Sequence, residues 1–164
     1  MDAGKFIDEF VELKDDTAKK RFIKKHVVNH YMNFETKVSE ANAILEKSCY
    51  VTEGGIRKYR RNSAIRYMLF VLSVYKNYTD IEIDTTNSLL QFNLLEKNQV
   101  FPLIVNEIGA DYEQFKIILE TAFEDDDANY RSLSGQIDRF ENAVVTIADE
   151  LAKQQEKDDN NGDI

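Results

Sequence analysis

Residues 64–75 read AIRYMLFVLSVY, and only Arg66 and Ser73 interrupt the apolar run. A helix with no polar face is normally buried on all sides. At twelve residues the stretch is too short to cross a bilayer as a helix. It therefore predicts a central core helix, capped by Asn62 or Ser63. The rest of the chain has to supply the shell around it.

Directly upstream, Ser48-Cys49-Tyr50-Val51-Thr52 and Ile56-Arg57-Lys58-Tyr59 are rich in β-branched and aromatic residues. Glu53-Gly54-Gly55 separates them, and Gly-Gly permits the positive φ angles of a tight hairpin turn. A two-stranded ribbon is marginal in water, so it must pack on the helices or on a partner. Further out, Phe6, Ile7, Phe10, Val11 and Leu13 form a helical stripe. Asp15, Asp16 or Thr17 caps a second helix. Phe22, Ile23, His26, Val27 and His30 are expected on its apolar side, with Lys19, Lys20, Lys24 and Lys25 opposite. After a break at 29–33, a third helix is expected over 34–47, with Phe34, Val38, Ala41, Ile44 and Leu45 as its apolar positions.

Downstream, residues 77–84 read as an extended connector whose Ile81 and Ile83 alternate with acids, as a short edge strand would. Thr85, Thr86 or Asn87 caps the next helix, which carries Leu89, Leu90, Phe92, Leu94 and Leu95. Residues 99–108 form another, with Pro102 tolerated in its first turn and Gly109 as C-cap. In the last third, Leu133, Ile137, Phe140, Val144, Ile147 and Leu151 are spaced 4, 3, 4, 3 and 4, a heptad seam. Its phase is lost across Glu124–Asp127, so a bend or turn is expected around residues 125–133. The fold class is mainly α: a bundle of six to eight helices with one short β-hairpin near residues 48–60. Residues 1–110 form the helical core with the hairpin. Residues 111–157 form one long helix or a helical hairpin, packed on that core or on a partner. Residues 158–164 are a polar tail.

Composition narrows the function. The 164 residues are 43% hydrophobic and 31% charged, enough to build a core. One proline and six glycines do not suit a turn-rich sandwich. Cys49 is the one cysteine, so no internal disulfide forms. Asp8 and Glu9 interrupt the region where a signal peptide would be apolar, and no run of about 20 apolar residues marks a membrane span. The net charge of −9 is uneven: residues 1–76 carry +5 and residues 77–164 carry −14. Such asymmetry fits two faces for two partners, or one half docked on the other.

Catalytic patterns are missing. His26 and His30 have helical ligand spacing, but Val27 stands where a zinc protease has glutamate and no third ligand is evident, so core or boundary histidines are expected. Asp125, Asp127 and Asn129 start like a calcium loop, but Tyr130 replaces the required glycine and Gln136 the closing glutamate. Cys49 has no activating neighbour in sequence and reads as a small buried strand residue. No catalytic residue, metal site or cofactor is assigned. The one local feature above background is the cluster Arg57, Lys58, Tyr59, Arg60, Arg61 and Arg66. Arg and Tyr serve phosphate contact and stacking as well as protein interfaces. The net charge disfavours nucleic acid unless the acidic half is held away.

Tyr31 with Phe34-Glu35-Thr36-Lys37, the stretch 62–70 (NSAIRYMLF) and the stretch 77–82 (NYTDIE) carry a resemblance. With the helical last third, they resemble small acidic helical proteins of tailed phages and prophages of Gram-positive bacteria. The resemblance implies a phage setting among virion or morphogenesis proteins, and no site residues. The expectation is a non-enzymatic interaction protein, a virion connector or assembly component, in the host cytoplasm during assembly or in the virion. Its expected partners are other phage structural or assembly proteins, or a second copy, with no membrane partner. The alternative expectation is an acidic effector that inhibits a host nucleic-acid-binding enzyme by charge mimicry through Glu124–Asp127.

Overall fold

The structure, a computed structural model, describes residues 1–84 and 86–160. The described residues form eight helices and one two-stranded antiparallel sheet. Short polar caps define the first boundaries. Asp2 accepts from the Gly4 and Lys5 amides at the start of α1 (Ala3–Glu12). Asp15 accepts from Ala18 N to open α2 (Asp16–His26), and Asn33 from Thr36 N to open α3 (Phe34–Cys49). The helix expected over 34–47 thus runs two residues further. Cys49 is its last residue rather than a strand residue.

The hairpin follows at once, β1 (Tyr50–Glu53) pairing with β2 (Ile56–Tyr59) through Gly54 and Gly55 at φ 59° and 75°. Positive φ at both central positions suits the right-handed twist of a two-residue turn, which only glycine supplies without strain. The register pairs Tyr50 with Tyr59 and Thr52 with Arg57.

Asn62 caps α4 (Ser63–Tyr78) by accepting from Ile65 N. This is the expected core helix, with Phe70, Val71, Val74, Tyr75 and Tyr78 buried. Its first turns are not enclosed, since Ile65 and Tyr67 are exposed, and Lys76 near its end is exposed too, so burial on most sides holds only over 70–75. The helix also reaches Tyr78, into the segment expected to be a connector. Residues 79–84 form no strand; they make single bridges, Val27 to Thr79 and Asp2 to Glu82. These tie the start of α1 and the end of α2 to one segment.

Three helices complete the core before the last. They are α5 (Ser88–Lys97), α6 (Val100–Ile108) and α7 (Ala110–Arg131), with Gly109 at φ 72° turning the chain between the last two. Asn87 stands at the start of α5 without a side-chain capping bond, and Thr85 lies outside the described residues. Instead Asp84 accepts from Thr86 N and from the Asn87 amide. Phe115, Leu119 and Phe123 of α7, four residues apart, bury one stripe against α3 and α4. The chain then turns at Ser132 into α8 (Leu133–Asn160). Residues 111–157 are therefore two helices. The first three residues of the expected polar tail lie within α8, and the other four lie outside the described residues.

Candidate functional site

The cluster named by sequence does not form a free basic patch. Arg57 pairs with Glu46, and its guanidinium lies 3.7 Å from the centre of the Tyr50 ring. Lys58 and Arg60 both reach Glu53, at 3.0 and 3.8 Å. Arg61 reaches Asp127 at 3.5 Å, and Arg66 lies over the Phe123 ring at 4.8 Å. The ribbon instead docks on the acidic stretch of α7. Tyr50 Oη donates to Asp126 at 2.6 Å and Tyr59 Oη to Asp127 at 2.7 Å. The hydrogen bond from Tyr59 holds the Asp127 carboxyl below the usual carboxylate range against the opposing effect of burial, with Arg131 and Arg61 adding to the lowering. Burial first, then the bonds to these carboxylates, pushes both tyrosine hydroxyls up. The basic half and the acidic half of the chain meet here.

Next to this junction, α8 closes a polar cleft of about 800 Å³ whose walls include Arg57, Lys58, Asp126, Asp138 and Arg139. Ser132 builds the elbow: its Oγ donates to Asn129 O and accepts from Gly135 N. Gly135 sits so close to α7 that an added Cβ would fall 2.1 Å from Asn129 O. Arg139 donates to Tyr130 O at 2.8 Å and lies 3.8 Å from the centre of that ring, while Tyr59 stacks on Tyr130 at 4.1 Å. Among the described side chains of α8, the half-buried ones are therefore Gly135, Arg139, Ala143 and Thr146.

That placement turns the heptad seam outward. Ile137, Phe140, Val144 and Ile147 are 48%, 71%, 50% and 50% exposed. At 100° per residue they occupy a face roughly 125° from the half-buried one. The side chains of Leu133 and Leu151, the ends of the expected seam, lie outside the described ones. An exposed apolar stripe of this kind marks an interaction surface more often than chance burial failure.

Sequence reading missed a buried polar junction. Lys37 is 2% exposed and its Nζ donates to Asp111 at 2.5 Å and to Gln114 at 3.2 Å. The other Asp111 oxygen accepts from Met32 N and from Tyr78 Oη. Burial raises the Asp111 pKa, but Lys37, Tyr78 and the Met32 amide outweigh it and hold the carboxyl below its ordinary value. A lysine at the end of the first turn of an amphipathic helix carries no sequence signal that its partner lies 74 residues away.

The histidines also separate. α2 ends at His26, so His30 falls in the following loop and is exposed. His26 is buried and its Nδ1 lies 2.8 Å from Asp80. Among the described residues no group of three His, Cys, Asp or Glu side chains could hold a metal ion, and no helix is long and apolar enough to cross a membrane. Comparison with known proteins adds no relative: no family model, no curated protein and no solved structure matches this chain.

Proposed function

We propose that this chain is a non-enzymatic interaction protein that docks a helical partner along the outward apolar seam of α8. The observation that carries the reading is the inversion of α8, whose polar side faces its own ribbon while Ile137, Phe140, Val144 and Ile147 face solvent. A heptad seam needs a second helix to cover it. The setting is the one its resemblance implies, a connector or assembly component of a tailed phage. The charge-mimicry alternative has less support. Asp126 and Asp127 are engaged by Tyr50, Tyr59, Arg61 and Arg131, which leaves Glu124 and Asp125 as the exposed acids of that stretch.

Light scattering on the purified chain, alone and mixed with the products of neighbouring genes, tests the reading. A complex or a self-assembled species is expected, lost when Phe140→Glu and Val144→Glu are combined. A monomer that binds none of those products overturns it.

A further inference from the structure

The longest run of cations without ion pairs among the described residues lies on α2. Between Thr17 and His26 there are five, Lys19, Lys20, Arg21, Lys24 and Lys25, and no acid. Among the described residues none of the five forms an ion pair. Lys19 is half-buried over the Phe10 ring, and the other four are exposed. With 3.6 residues per turn those four share an arc of about 140° and a rise of about 7.5 Å.

The face is not explained by the fold alone. Lys20 with Lys24, and Arg21 with Lys25, stand four residues apart, where like charges weaken a helix. Lys24 and Lys25 gain from the C-terminal end of the helix dipole, but Lys20 and Arg21 stand a turn further back. α2 packs on α6 of the acidic half, but the acidic stretch of α7 is held away. α2 leads into the start of α3, whereas Asp126 and Asp127 sit at its other end against the ribbon. The 16 residues of α3 make it about 24 Å long. That is about three Debye lengths at physiological salt. Asp80, beside the end of α2, faces His26, and the one acid within α2 is Asp16 in its first turn.

We propose that the solvent face of α2, Lys20, Arg21, Lys24 and Lys25, is a docking surface for the phosphate backbone of nucleic acid. Its chemistry selects that partner over two others. A protein interface needs an apolar or aromatic anchor at its centre, and this face has none: Phe22 packs on Phe6, Phe10 and His26, and Ile23 is buried. A membrane-surface helix needs bulky apolar residues beside its lysines, and here they point into the core. Phosphate contact needs only the cations. Phosphate contacts carry no sequence information, so binding through them is independent of sequence.

Fluorescence anisotropy of the full chain with a labelled 20-base single strand and a 20-base-pair duplex tests this. Binding is expected at 25 mM salt. On duplex, four contacts predict a loss on the order of 10²-fold between 50 and 200 mM salt. Replacing Lys20, Arg21, Lys24 and Lys25 together by glutamine should lower affinity at least tenfold. Lys24→Gln alone should reduce the duplex salt slope by about one, which keeps the test valid if the fourfold variant fails to fold. Lys58→Gln with Arg60→Gln, and the α8 seam variant, should bind as the parent does, which separates this proposal from the role of α8. No binding at 25 mM salt, equal binding by the α2 variants, or tighter binding to polyglutamate or to phosphatidylserine vesicles than to DNA overturns it.

Discussion

α7 and α8 are consecutive helices of 22 and 28 residues, joined by the single residue Ser132, and they treat their apolar residues in opposite ways. α7 buries Phe115, Leu119 and Phe123 in the common core. α8 carries the more regular apolar spacing and leaves it in solvent. The cause is local to the elbow. Gly135 lets α8 approach Asn129, and Arg139 clamps Tyr130, so the polar side of α8 faces inward. Periodicity states which residues share a face. Whether that face is covered depends on how the preceding turn aims the helix.

The contrast can be broken from either side. Phe115→Ala should cost about 3–5 kcal/mol, the usual loss for a buried phenylalanine, read from the urea midpoint. Asp111→Ala should cost a similar amount, about 3–5 kcal/mol, because it leaves Lys37 buried and unpaired. The Asp111 carboxyl has its folded pKa lowered. Its contribution is therefore complete above the unfolded value of about 3.9 and is lost as pH falls through the lower folded value. Acid titration of stability should show that loss below about pH 4 in the parent, and Asp111→Asn should flatten it. Gly135→Ala should act only at the elbow, with about 1–3 kcal/mol of overpacking, seen as faster amide exchange in α8 while α7 keeps its protection. The smallest effect belongs to Phe140→Ala, within about 0.5 kcal/mol in the unliganded chain. A large loss of stability there would mean that the seam is covered within the chain.

Local chemistry made much of the fold legible. Asp15 and Asn62 cap helices where a short polar side chain precedes an apolar period, and Gly54-Gly55 turns the ribbon. All of these act within a few residues. The basic cluster at 57–66 was visible as charge, but its neutralisation by Glu46, Glu53 and Asp127 was not, because that depends on where the ribbon docks. His30 was assigned to a helical face because the end of α2 at His26 carries no glycine or proline to announce it. Lys37 was hidden for the reason that its partner arrives through tertiary packing. The same limit applies to the free surface of α2, whose lysines look in sequence like any solvated helix side.

Cys49, where α3 meets the ribbon, is fully buried, and burial raises its thiol pKa. The chain therefore carries a silent internal clock. A thiol reagent should modify Cys49 only when that junction opens, so its labelling rate reports opening of the core. A second cysteine placed at Val144 would be modified at once. It can carry a dye or spin label on α8 without first removing the native thiol, and partner docking would then register as its protection.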